Sequence, residues 1–473
     1  MRIVIKNGTV ITATETMEAD VLIEGDKVVA LAAAGSHAWE EGADRVLDAS
    51  GKWVVPGGID VHTHMQLPFG GTVASDDFES GTRAAAWGGT TSIIDFGVQV
   101  KGEKLMDGLE AWMAKAEGHC AVDYGFHMIV GDVNAESLKE MDIAMGEGVT
   151  SFKLFTAYPG VFYSDDGEIL RAMQKAAENG STIMMHAENG MAIDVLREQA
   201  LARGETDPVY HGITRPSITE GEATHRVIAL AELSGSPLYI VHVSAAEAVD
   251  EIMMGRDRGL NVFGETCPQY LYLSLEDLAK PGFEGSKYVC STPLRAREGG
   301  HQERLWRGLA TNDLQIVSTD HCPFCFDDHP QLGTQKKLGL GDFTKIPNGL
   351  PGVEDRFGLM FHGAVTEGRL NANRWVEVCS TAPAKMFGLF PRKGTIAVGS
   401  DADIVVFDPK ARRTMSAQTH HMNVDYSCYE GMEVGGRVET VLLRGSIIVD
   451  GDEYLGKAGD GEYLPRSTSQ LLV

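Results

Sequence analysis

Hydrophobic and polar positions divide this chain into a long middle and two short ends. Between Val54 and Phe390, short apolar runs alternate with stretches in which apolar residues recur every three or four positions. Eight runs read as strands: Val54–Val61, Thr90–Phe96, Val122–Val130, Val149–Phe155, Thr182–His186, Leu238–Val243, Asn261–Glu265 and Gln315–Thr319. Several are almost continuously hydrophobic, as strands covered on both faces must be. Leu105–Ala116, Glu168–Glu178 and Thr224–Leu233 carry helical spacing between them. Eight such alternations predict an α/β fold, a (β/α)8 TIM-like barrel with its chemistry at the C-terminal ends of the strands.

The ends have a different texture, with short strands and turns. Arg2–Lys6 runs into Asn7-Gly8, a hairpin signal, and Val21–Gly25, Lys27–Ala30 and Arg45–Asp48 continue the pattern. It returns in Gly394–Val398, Ala402–Phe407 and Val438–Leu443. Neither end is long enough to bury a core alone, so residues 1–54 and 391–450 are expected to form one small β-sandwich domain flanking a barrel at 55–390. Residues 451–473, with Arg466-Ser-Thr-Ser-Gln470, carry little packing pattern and read as a disordered tail or as an arm contacting a neighbouring subunit.

Composition narrows the partners. A net charge of −26 argues against nucleic acid and anionic membranes, whose binding depends on Lys and Arg. Seven scattered cysteines do not resemble a disulfide framework. No basic, apolar leader opens the sequence, and no stretch approaches the ~20 apolar residues of a membrane span. A reduced, cytoplasmic protein is expected.

The predicted strand ends carry the chemistry. The first ends in His62 and His64, whose i, i+2 spacing puts both imidazoles on one side of a strand. The fourth holds Lys153 in an apolar run, where a lone charge is costly. The fifth, sixth and eighth end in His186, His242 and Asp320. Any one of these has an ordinary structural explanation; together, on one barrel face, they point to a metal centre.

This set resembles the binuclear site of the amidohydrolase superfamily, and within it the dihydropyrimidinases and D-hydantoinases. Pro56-Gly-Gly-Ile-Asp-Val-His-Thr-His64, Phe152-Lys-Leu-Phe-Thr-Ala-Tyr158, His186-Ala-Glu-Asn-Gly190, Cys267-Pro-Gln-Tyr270, Ser318-Thr-Asp-His-Cys-Pro323 and Pro347-Asn-Gly-Leu-Pro351 carry the likeness. It implies two divalent cations, zinc by the nitrogen-rich donor set, and a CO2-derived carbamate on Lys153 bridging them. His62, His64 and Asp320 would hold the more buried ion, His186 and His242 the more exposed one. A hydroxide between the ions would attack a cyclic amide, with Asp320 as general base and acid and Tyr158 as donor to the oxyanion. Ser291 and Asn348 match positions that hold the substrate's imide edge. The expected reaction opens 5,6-dihydropyrimidines or 5-monosubstituted hydantoins to N-carbamoyl amino acids, and the family implies a homotetramer.

Dihydroorotases usually carry an arginine shortly after the paired histidines, and allantoinases an acidic segment. Met65-Gln-Leu-Pro-Phe69 has neither. Met65, Leu67, Phe69, Phe155 and Phe162 instead suggest an apolar wall for a neutral ring's substituent. Allantoinase is the alternative enzyme, and a non-catalytic scaffold relative is disfavoured because all six metal positions are filled. The Cys322/Cys325 pair, without a second CxxC, is not read as a redox or zinc site. His321 is a doubtful ligand because it neighbours Asp320 on a strand. His420 and His421 lie outside the barrel and read as surface or interface residues.

Overall fold

The chain passes from one sheet into another at a single pair of glycines. β1 (Arg2–Ile11), β2 (Thr16–Glu24), β3 (Lys27–Ala33), β4 (Arg45–Asp48) and β5 (Trp53–Pro56) belong to a small mixed sheet, and β6 (Gly58–Thr63) opens the barrel. The computed structural model describes residues 1–36, 39–327 and 329–471. The expected run Val54–Val61 is therefore two strands. Gly57 N–H bonds Asp403 O of the small-sheet side at 2.9 Å, while Gly58 N–H bonds Gly89 O on the barrel side at 2.8 Å. A Cβ on Gly57 would lie 2.1 Å from Thr91 Oγ1, so this crossing requires glycine.

A short ribbon, β7 (Pro68–Phe69) and β8 (Thr72–Val73), stands above the barrel. β9 (Thr90–Val98), β10 (Asp123–Ile129), β11 (Ser151–Phe155), β12 (Thr182–His186), β13 (Leu238–Ile240), β14 (Val262–Thr266) and β15 (Ile316–Val317) follow β6 in strict sequence around a parallel eight-stranded sheet. Thr63 and His321 pair across the remaining gap, and His64 N–H bonds His321 O at 2.9 Å, closing the barrel. Helices between the strands start where their sequence caps them. Asp77 accepts from Ser80 N–H at 2.7 Å and donates its own N–H to Ser80 Oγ at 3.0 Å, opening the Phe78–Trp87 helix. The same reciprocal box opens Ala135–Gly146 and Asp166–Asn179. Gly180, at φ 78°, ends the latter in the left-handed conformation.

β16 (Ile404–Thr414), β17 (Glu433–Leu443), β18 (Ser446–Asp450) and β19 (Glu453–Tyr454) complete the small sheet, in the order β3-β2-β1-β5-β16-β17-β18-β19 with β4 against β1. It curls over its own core, which includes Ile3, Ile5, Val21, Val54 and Ile404, and Lys27 pairs with Asp401 across the fold. Two expectations fail here. Asn7-Gly8 does not turn a hairpin; it is a bulge inside β1, with Asn7 at φ 62° and the register to β2 shifting between Ile5 and Gly8. Asp20 accepts Asn7 N–H at 2.8 Å, and Gly8 leaves room for the Val54 side chain, so the pair fits a bulge as well as a turn. Gly394–Val398 is not a strand: it is an irregular segment that contributes Ile396 to the small core.

The small sheet is fastened to the barrel floor by a buried cation. Lys393 Nζ bonds Asp123 at the start of β10 at 2.5 Å, Asp403 at 2.5 Å and Asp401 at 3.0 Å. The tail, as far as Leu471, runs along the same floor. Leu464 is buried there and donates its N–H to Tyr124 O at 2.7 Å, and Arg466 reaches Ser151 Oγ at 3.0 Å. Backbone bonds such as Gly461 N–H to Cys120 O at 2.9 Å are interleaved with side-chain bonds such as Tyr463 Oη to Glu147 O at 2.8 Å. No helix of the described residues is long and apolar enough to cross a membrane, and all seven cysteines are free and buried.

Candidate active site

Each residue expected to carry chemistry lies at the C-terminal mouth of the barrel. His62 is the penultimate residue of β6, Lys153 lies within β11, His186 ends β12, and His242 and Asp320 follow β13 and β15. Asp320 Oδ1 stands 3.2 Å from both His62 Nε2 and His64 Nε2, and these three residues present donor atoms within 4.8 Å of one another. Lys153 Nζ lies 3.0 Å from His62 Nε2. The rings of His186 and His242 are 4.5 Å apart, and His242 is 5.4 Å from His62. His242, Asp320 and Tyr158 adopt positive φ of 40°, 53° and 59°, a backbone conformation costly for such residues and concentrated at functional sites.

Burial sets the protonation states. It drives His62 and His242 well below the usual histidine range, leaving them neutral, the form that binds metal. It also pushes the Lys153 ammonium down to about 8 against the opposing pull of Asp320. Burial alone would raise Asp320, but His62, His64 and Lys153 together hold it below its ordinary value, so it is ionised. Tyr158 is pushed up to about 12 by burial and stays a hydrogen-bond donor.

The donor set fits divalent cations. The Nδ1 atoms of His64 and His242 are buried without hydrogen-bond partners among the described residues. Lys153 has no carboxylate within 4 Å among them, although it is almost fully buried. Four imidazoles, a carboxylate and an amine converge on one mouth.

A cavity opens onto these groups. It is lined by His64, Lys153, His186, His242 and Asp320, by Leu67, Phe69, Phe155, Tyr158 and Phe162, and by Ser291 and Asn348. Asn348 Nδ2 donates to Ser291 Oγ at 3.1 Å and reaches Tyr158 Oη at 3.5 Å. Met65, expected on the apolar wall, is not there. It is wholly buried beneath the site against Gly81 of the Phe78–Trp87 helix, since its side chain leaves the strand end on the core side.

Several residues that the sequence left unnamed hold the ligand candidates in place. Glu265, at the end of the seventh strand run, bonds His62 Nδ1 and accepts from Tyr239 Oη at 2.8 Å and His242 N–H at 3.2 Å. Fixing the proton on His62 Nδ1 leaves Nε2 as the lone-pair nitrogen facing Asp320. An acidic residue ending an apolar strand was the available signal. Glu188 likewise bonds His186 Nε2 at 2.7 Å. His321 is committed elsewhere: Nε2 pairs with Asp76 at 3.0 Å and Nδ1 accepts from Gly352 N–H at 3.1 Å. Cys322 lines the cavity while Cys325 Sγ faces Asn423 O, and burial pushes both thiols up. His421 stacks on Trp87 at 4.1 Å and bonds Glu354, and His420 bonds Tyr426 O, both far from the mouth.

Residues 53–448 match the amidohydrolase family. The chain is 65% identical to the D-hydantoinase of Streptomyces coelicolor over 473 residues, covering all of this chain and 99% of that one. It is 52% identical to the D-hydantoinase of Geobacillus stearothermophilus, covering 99% and 97% of the two. The crystal structure of the Brevibacillus agri dihydropyrimidinase superposes with a TM-score of 0.95 at 51% identity, over 99% of both chains. An L-hydantoinase from Arthrobacter aurescens superposes less closely, at 0.86 and 30% identity over 98% and 99%. A barrel whose strand ends gather four histidines, a lysine and an aspartate, matched end to end by these relatives, belongs to the amidohydrolase family, in its D-hydantoinase and dihydropyrimidinase branch.

Proposed function

We propose that this cyclic amidohydrolase opens 5-monosubstituted hydantoins and 5,6-dihydropyrimidines to N-carbamoyl amino acids. The observation that supports this most is the lining of the mouth, where candidate metal ligands share one cavity with the apolar side chains of Leu67, Phe69, Phe155 and Phe162 and the polar pair Ser291 and Asn348. His62, His64 and Asp320 would hold one cation and His186 and His242 a second, with Lys153 between them. Such a pair, zinc by the donor chemistry, supplies an acidified water near pH ~7 and polarises a carbonyl.

The chain's own residues supply the rest. Lys153, held near 8, exists partly as the free amine, which adds CO2 to give a carbamate and releases one proton; the product is an anion where an ammonium could bind no cation. Asp320, ionised among histidines, takes the proton of the attacking water and passes it to the departing ring nitrogen. Tyr158 keeps its proton and donates to the carbonyl oxygen as charge gathers there. Ser291 and Asn348 hold the imide edge, so the ring's substituent falls against Leu67, Phe69, Phe155 and Phe162. Among the described residues the apolar side chains of this cavity are joined by no arginine that would select an anionic ring, and this disfavours dihydroorotate. A homotetramer in the cytoplasm completes the reading.

Rates of the zinc-loaded protein on a hydantoin with an aromatic 5-substituent, dihydrouracil, dihydroorotate and allantoin, measured side by side, test it. The first two should be opened and the last two should lag far behind. Faster opening of allantoin, or no turnover of the first two, overturns it.

A further inference from the structure

Behind the polar edge of the cavity lies a second buried lysine that takes no part in the chemistry above. Lys336 is wholly excluded from solvent, yet its ammonium meets no carboxylate among the described residues. Its Nζ donates to three backbone carbonyls instead: Val289 O at 3.1 Å, Pro347 O at 2.9 Å and Gly349 O at 2.8 Å. An ammonium has three N–H donors, and all three are used. Burial lowers the group to about 8, so at neutral pH it keeps the third proton that this arrangement needs.

The choice of carbonyls is informative. Pro347 and Gly349 flank Asn348, and Val289 lies two residues before Ser291, so one cation ties together the two segments assigned to the imide edge. Gly349 N–H reinforces the link by donating to the same Val289 O at 3.0 Å. The Lys336 N–H bonds Cys325 O at 2.9 Å, in the loop that follows Asp320. Gly349 passes so close to that loop that a Cβ would lie 2.2 Å from Cys322 O. Meanwhile the backbone N–H and C=O groups of Ser291 and Asn348 make no hydrogen bond with the described residues, and both residues line the cavity. A fold that needed only to bury this loop would not require a charge, which is expensive to desolvate.

We propose that Lys336 is a positioning residue: its ammonium sets the separation of the Ser291 and Asn348 backbones, and so the grip on the ring's imide edge. This rests on the reading of those two residues as the imide-binding edge. Because the grip is the same before and during ring opening, its loss weakens binding of the bound ring and of the transition state alike.

Lys336→Met, of similar length and without donors, tests this in the zinc-loaded enzyme with dihydrouracil and a 5-substituted hydantoin. Removing hydrogen bonds from a charged donor should raise KM at least ~10-fold. Turnover at saturation and zinc content per chain should stay close to wild type. A variant with a lowered unfolding temperature but unchanged KM assigns Lys336 to stability alone and overturns the proposal. So does a fall in kcat at constant KM. Should Lys336→Met not fold, Lys336→Gln, which keeps two N–H donors, should show a smaller rise in KM, and an unchanged KM there is equally fatal. Failure of the wild-type enzyme to open either ring would instead refute the function on which the proposal rests, and that outcome is separable from the others.

Discussion

Lys153 and Lys393 are buried at opposite ends of the same barrel, and their surroundings differ in kind. Lys393, on the floor, is met by three carboxylates at 2.5 to 3.0 Å. Lys153, at the mouth, has a histidine nitrogen at 3.0 Å, two aromatic faces and no carboxylate within 4 Å among the described residues. A buried ammonium is tolerated when it is paired and costly when it is not. The floor lysine is therefore complete as it stands, whereas the mouth lysine lacks a counter-charge, as the carbamate proposed above requires.

The largest effect should come from removing the unbalanced lysine. Lys153→Ala should abolish retention of divalent metal, read by elemental analysis of the purified protein, and reduce turnover beyond the ~10–100-fold that losing an outer partner costs. The unfolding temperature should fall with the metal, because ions bound only by the folded chain stabilise it. Small carboxylic acids, which mimic the carbamate in the space left, should restore part of the metal content. Full metal content without them would remove Lys153 from the centre and dissolve the contrast with Lys393.

How much of this contrast was legible in the sequence depends on how local the cause is. Barrel strands are doubly covered, so their apolar runs stand out, and a histidine, lysine or aspartate at the end of such a run is conspicuous. The run Val54–Val61 concealed two strands because both sheets demand apolar residues and only Gly57 separates them. Asn7-Gly8 was ambiguous because the left-handed backbone of Asn7 serves a turn or a bulge, and the choice was made by Asp20 and Val54, both distant in sequence. Met65 was placed on the wall by its nearness to His64, but the core beneath took it. Glu265 and Lys393 escaped notice because their meaning lies wholly in partners far along the chain: His62 for one, Asp123 for the other.

Glu265 sharpens the comparison from the metal side. It is a buried carboxylate near Lys153 that spends its oxygens on His62, Tyr239 and His242. Burial pushes it up to about 7, and hydrogen bonds from neighbours oppose the shift. Glu265→Gln keeps the shape but no longer accepts so strongly from His62 Nδ1–H, so the ring loses the partner that fixes its tautomer. Metal affinity should fall ~10–100-fold, the usual cost of an outer partner of a metal-bound histidine. Competition with a chelator measures this without relying on activity. Unchanged affinity would mean that the barrel wall alone holds His62.

The smallest effect on catalysis should come from the balanced lysine, and it should appear in stability instead. Lys393→Met leaves Asp123, Asp401 and Asp403 buried without their common cation, a loss of about 3–5 kcal/mol in the denaturation midpoint analysis. Turnover of the folded variant and its metal content should match the wild type. The pH dependence provides a second check. Burial would raise Asp401, but Lys393 with Lys27 and Arg392 holds its carboxyl below the usual value. A carboxylate depressed in this way adds stability above its unfolded pKa, ~3.9, and loses it as the pH falls through the folded value. The gap between wild type and variant should accordingly be full at neutral pH and narrow only below about pH 4. A gap of the same size at pH 3 would show that Lys393 acts by packing its methylenes rather than by neutralising the three carboxylates.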